Sequence, residues 1–193
     1  NNDIIELHEK INKLEKECKE LKQTTNIENQ YLDRSKNITN LNNNDIKLIA
    51  FGKENFDTIL SDNEYLKILS RGYNSLPELI KAINFNEENR EYNNIYSNNI
   101  RSKYLIAYDG EKWNMIEKND TLDNLINRYG GYIEKKYGEL GDELDVKSKK
   151  KLNRFIENYS DDDKLNQYKN DITLLLFNNK DLPKDMRNKL KNK

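Results

Sequence analysis

Apolar positions near the start of the chain recur at alternating gaps of three and four: Ile4, Leu7, Ile11, Leu14, Cys18 and Leu21. That heptad rhythm keeps one narrow seam turned toward a partner helix. Ile4, Ile11 and Cys18 take the a positions and Leu7, Leu14 and Leu21 the d positions, a distribution that favours a parallel dimer over a trimer. The flanks agree, because in a parallel pair Asp3 faces His8, Lys10 faces Glu15 and Glu17 faces Lys22, and each pair can be opposite in sign. An amphipathic helix folded back on its own domain is the competing reading of the same pattern. With no Met before Asn1, the chain reads as a fragment of a longer protein whose coil extends upstream.

The period then fails. Residues 1–23 form the expected oligomerisation helix, and residues 24–44, with "NITNLNNN" at their end, read as a flexible Asn-rich linker. Residues 45–193 make the globular head. "IKLIAF", Ile46 to Phe51, is rich in β-formers and stops at Gly52, which predicts a short buried strand. "SDNEYLKILSRG" predicts a helix capped by Ser61 or Asp62, with Tyr65, Ile68 and Leu69 on one face and Gly72 at its end. Ser75 and Glu78 stand at capping-box spacing, with Pro77 inside the first turn of a second helix.

"KYLIAYDGEKWNMI" changes the period to that of a hairpin turning at Asp109 and Gly110, with "NIYS" as a third strand beside it. From Asn119 onward the pattern is helical. Leu122, Leu125 and Ile126 mark one helix, broken at Gly130 and Gly131 and resumed by Tyr132, Ile133 and Tyr137. Leu152, Phe155 and Ile156 mark another, and "DDDKLNQYKNDITLLLF" starts acidic and ends apolar, as a core helix does. The fold class expected is α+β: a coiled-coil helix, then a small antiparallel sheet with several helices, and a helical C-terminal third.

Composition narrows the partners. Charged residues make up 35% of the chain, yet the formal net charge is −1, so no global field draws it onto nucleic acid or an anionic membrane. No apolar run approaches the roughly 20 residues of a membrane span. A single Cys excludes an intrachain disulfide and suits a reducing compartment.

Phe51 and Gly52, "KILSRGYNSLPELIKAI", "NFNEENREYNNIYSNNIR", "KYLIAYDGEKW" and "LNRFIENYSDDDKLNQYKNDITLLLFNNKD" occur in one order along the head. In that order the chain resembles the C-terminal region of uncharacterised giant-virus proteins of the Mimivirus group, members of which often carry N-terminal C2H2 zinc fingers and a coiled coil. The family usually reads His-Phe-Asn where this chain has Asn84, Phe85 and Asn86, and Pro where it has Arg90. The resemblance implies an origin and an architecture, and a location in the cytoplasm of an infected cell, its virus factory or the virion. It implies no activity.

The chemical inventory is short. His8, the only His, lies on the coil flank, so one head can build neither a His-based metal site nor a His-assisted nucleophile. Neither GxxxxGK[ST] nor GxGxxG occurs. Asp109 and Glu111 near Glu91 would be the carboxylates of a Mg²⁺ site, but turn chemistry already accounts for Asp109. No catalytic residue, metal site or cofactor is therefore expected.

Two surfaces remain. Lys147, Lys149, Lys150, Lys151 and Arg154 cluster where they can neutralise phosphates, and Lys184, Arg187, Lys189, Lys191 and Lys193 add charge at the end of the chain. Asn86, Asn94, Tyr96, Asn99 and Arg101, with Asn93 among them, read as a polar recognition loop or as plain loop. Trp113 and Tyr108 read as core anchors near the hairpin. The expected function is a non-enzymatic oligomerising scaffold for an unknown protein partner. A nucleic-acid-binding accessory domain working with upstream zinc fingers is the alternative, and a metal-dependent nuclease comes third.

Overall fold

The computed structural model describes residues 47–191, so the expected coiled coil of residues 1–23 and linker of residues 24–44 lie outside the described residues. The chain enters the head along Lys47–Phe51 without joining a ladder, which corrects the strand expected there. Its backbone bonds are divided between two elements: the Ile49 N–H donates to the Glu91 carbonyl at 2.8 Å, and that of Phe51 to the Tyr108 carbonyl at 2.8 Å. Alternate bonds to different neighbours hold the segment extended but give it no register. Leu48 is nevertheless buried, in a small cluster with Tyr108 and Met186 against which Trp113 packs.

Helix α1, Asp62–Leu69, begins where the sequence predicts. Glu64 accepts from the Ser61 N–H at 2.8 Å, satisfying a donor that the first helical turn leaves open. Tyr65, Ile68 and Leu69 are buried on one face. Gly72 follows at φ +62, and the 3-10 turn Gly72–Asn74 leads into α2, Ser75–Asn84. Ser75 is not the cap that its spacing to Glu78 implies. The turn before it already runs in helical geometry, so Asn74 takes the cap position, and the buried Ser75 hydroxyl donates to the Ile68 carbonyl at 2.8 Å. It ties the end of α1 to the start of α2.

Strands β1 (Ile95–Tyr96), β2 (Tyr104–Tyr108) and β3 (Trp113–Glu117) form one antiparallel sheet in that order. Ile106 pairs with Met115 and Tyr108 with Trp113, so residues 109–112 make a four-residue turn in which Gly110 alone takes positive φ, at +107. Asp109 reaches positive φ nowhere. Its carboxylate instead accepts from the N–H groups of Glu111 and Lys112, each at 2.8 Å.

Helix α3, Lys118–Leu140, runs unbroken through Gly130 and Gly131, against the break expected there. Glycine in a helix costs about 1 kcal/mol relative to Ala, but here it admits a neighbour. A Cβ on Gly130 would stand 2.5 Å from Cε2 of Tyr159, the residue that ends α4 (Val146–Asn158). Two further helices, α5 (Asp162–Asn178) and α6 (Asp181–Lys191), complete the head. Leu125, Ile126, Tyr129 and Ile133 of α3 meet Leu79 and Ile80 of α2, Leu105 of β2, Leu152 and Phe155 of α4, and Ile172 and Leu176 of α5 in one core. The α+β architecture expected from the sequence is the one observed. Among the described residues, no helix is long and apolar enough to cross a membrane.

Candidate functional site

The expected recognition loop divides. Asn93 and Asn94 are 0% exposed and Tyr96 is 2% exposed, so these residues belong to the interior and not to a surface. Asn94 Nδ2 donates to Glu54 Oε1 at 2.7 Å and to the Ile49 carbonyl at 3.2 Å, while its Oδ1 accepts from Asn84 Nδ2 at 3.2 Å. Tyr129 donates to Asn84, and Arg128 pairs with the buried Glu54 carboxylate. Burial pushes the Tyr129 hydroxyl well above its ordinary value, keeping it a neutral donor. Every side chain in this chain of contacts has a partner, which a buried polar network requires. The Tyr96 hydroxyl accepts from Arg187 at 2.7 Å. Asn86 is half-buried and caps the turn before Glu88, and only Asn99 and Arg101 remain on the outside, joined by the Arg101 N–H donating to Asn99 Oδ1 at 2.9 Å.

The carboxylates weighed for a metal do not converge. Among the described residues no group of three or more His, Cys, Asp and Glu side chains is placed to hold a cation. Asp109 is spent on its turn, where Asn114 Nδ2 donates to it as well. An open cleft of about 500 Å³ lies between Ile100, the start of α3 (Lys118, Asn119, Leu122) and α5 (Asn166, Lys169, Asn170). Its lysines are engaged, Lys118 on the Ile100 carbonyl at 3.1 Å and Lys169 on Asp123 at 2.7 Å.

The basic cluster fares differently. Asp145 caps α4 by accepting from the N–H groups of Lys147 and Ser148 and, at 2.6 Å, from the Ser148 hydroxyl. The buried face of α4 is Ser148, Leu152 and Phe155. Lys147, Lys150, Lys151 and Arg154 occupy the i, i+3, i+4 and i+7 positions beside it, all exposed, and among the described residues none of the four has an ion-pair partner. Lys149 points elsewhere, to Asp142 at 3.5 Å, and leaves the set. The C-terminal cations are partly consumed by the fold: Lys189 pairs with Asp185 at 3.0 Å, and Arg187 holds Tyr96.

The 3-10 turn Gly72–Asn74 packs on this helix. A Cβ on Gly72 would lie 2.8 Å from Lys151 Cβ and 3.3 Å from its backbone carbon, so only glycine lets the turn settle so close. Tyr73 is thereby set beside the cations, 39% exposed, its hydroxyl 3.5 Å from the Arg154 carbonyl. The Lys164 ammonium, at the start of α5, stands 5.5 Å from the ring centre. No periodicity or motif in the sequence singles out Tyr73 or Lys164. Tyr73 follows a helix stop and obeys no period; the nearest signal was Gly72 itself.

Asp145 gives this surface a dependence on acid. The Ser148 hydroxyl, then its N–H, hold the Asp145 carboxyl below its ordinary 3.8. A group whose folded value is lowered contributes stability above its ordinary value and loses it as pH falls through the folded one. Urea midpoints measured from about pH 6 to about pH 3 are therefore expected to fall below pH 3.8, and Asp145→Asn, which keeps a capping oxygen, to fall less steeply over that range. Comparison of the chain with protein-family models, with curated proteins and with solved structures finds no match.

Proposed function

We propose that this chain is a non-enzymatic interaction module that self-associates through its leading helix and presents the exposed face of α4 to a partner. The observation that carries the reading is the agreement of two independent patterns over one stretch: the apolar seam Ile4, Leu7, Ile11, Leu14, Cys18 and Leu21, and the opposed charges on its flanks. Pairing doubles whatever surface each head offers, and a weak contact gains avidity when two are joined. Lys147, Lys150, Lys151 and Arg154, which have no ion-pair partner among the described residues, support that face as the one presented. The resemblance to giant-virus proteins supports a role in the cytoplasm of an infected cell.

Sedimentation across a dilution series tests the reading. A dimer is expected, and Leu14→Asp is expected to return a monomer whose head melts as the parent does, because burying an unpaired carboxylate in so short a seam costs several kcal/mol. A parent chain that is monomeric at every concentration overturns it, as does a Leu14→Asp head that no longer folds.

A further inference from the structure

We infer that the partner of the α4 face is single-stranded nucleic acid, held by its phosphates along the helix and by one base on Tyr73. The inference rests on the preceding reading for its choice of face, and on three observations for its choice of ligand. First, Lys147, Lys150, Lys151 and Arg154 stand exposed along one side of α4, and among the described residues none has an acid within ion-pair distance. At 1.5 Å per residue they span about 10 Å of helix axis, long enough for the row to meet more than one phosphate of a strand. A chain whose formal net charge is −1 has segregated these cations instead of diluting them. Asp145 and Glu157, both exposed, bound the row at its two ends.

Second, an aromatic ring adjoins the row. Tyr73 is 39% exposed although its neighbour Gly72 is buried against Lys151, so the turn that brings the ring to α4 leaves it accessible. Stacking a base on an aromatic side chain beside a cationic groove is how single strands are held without regard to sequence. A duplex keeps its bases stacked inside and offers Tyr73 nothing comparable.

Third, the apolar side of the helix is already used. Leu152 and Phe155 are 0% exposed, which leaves Val146 as the exposed apolar residue of α4. A helix that lies on a membrane needs a broad apolar face to bury among lipids, so anionic lipid is a poor occupant despite its charge.

The test uses the whole chain and fluorescence anisotropy with a labelled twenty-nucleotide oligothymidine, a duplex of equal length, polyglutamate, and phosphatidylserine vesicles, from ~50 to ~200 mM salt. The single strand is expected to bind best, with log affinity falling in log salt at roughly −0.7 per phosphate neutralised. Lys150→Glu with Arg154→Glu is expected to lower affinity at least tenfold and flatten that slope, whereas Lys112→Glu, on the hairpin, leaves both unchanged. Tyr73→Ala is expected to cost roughly tenfold with the slope retained, and Tyr73→Phe to recover most of it, because stacking survives the loss of the hydroxyl. Circular dichroism melting of each variant reports that the head is intact.

Duplex binding equal to or tighter than the single strand, with Tyr73→Ala silent, overturns the inference. So does equal retention of polyglutamate, binding to vesicles alone, or no binding at the lower salt. Self-association is read separately by sedimentation, so a dimer that ignores every probe rejects the ligand and leaves the assembly standing.

Discussion

Asn94→Ala is expected to lower the stability of the head by about 3–5 kcal/mol, read as a fall in the urea midpoint. The side chain is 0% exposed and makes three bonds, to Glu54, to the Ile49 carbonyl and from Asn84. Truncation leaves each of these groups short of a partner away from water, at about 1–3 kcal/mol apiece before relaxation. The Glu54 Oε1 oxygen dominates, since the side chain is 0% exposed and its other partners, Arg128 and the Gly52 N–H, both engage Oε2. Asn98→Ala, four residues on and exposed, is expected to stay within about 0.5 kcal/mol. Equal, small effects at both positions would return Asn94 to the surface and dissolve the network around it.

Gly72→Ala comes next in size. At φ +62 a side chain costs about 1–2 kcal/mol in backbone strain alone. The added methyl also meets the Lys151 carbonyl carbon at 3.3 Å and its Cβ at 2.8 Å, and backbone in the middle of α4 cannot step aside as a flexible side chain can. Together these predict a loss of about 2–4 kcal/mol, checked by thermal or urea unfolding. The same change should lift the Gly72–Asn74 turn from α4 and move the Tyr73 ring with it. Proteolysis at the turn, compared between parent and variant, reports that movement.

What could be read from the sequence is what is decided locally. The cap at Ser61, the positive-φ Gly72 past the end of α1 and the hairpin around Gly110 each depend on residues within four positions, and each stands where the pattern placed it. The basic cluster Lys147, Lys149, Lys150, Lys151 and Arg154 was visible for the same reason, and helical spacing sets Lys149 apart from the other four. Three features were not legible because their causes are distant. Asn94 is buried by Glu54, 40 positions away, and Asn84 by Tyr129, 45 away, so a window over Asn93–Arg101 shows polarity and no partner. Gly130 stays helical because Tyr159 closes over it, which a rule about glycine in helices does not contain. "IKLIAF" has the composition of a strand, but its two edges are claimed by Glu91 and Tyr108 from different elements.

The way the chain enters the head has a mechanical outcome. A pull on the segment before Leu48 would have to break the bonds of Ile49 and Phe51 together with the attachments of Glu54. Those attachments run to a 3-10 turn, a strand and a long helix, so releasing the entry segment disturbs three different parts of the head. Stretched in an optical trap by its two ends, the head should hold this entry until the core itself gives way.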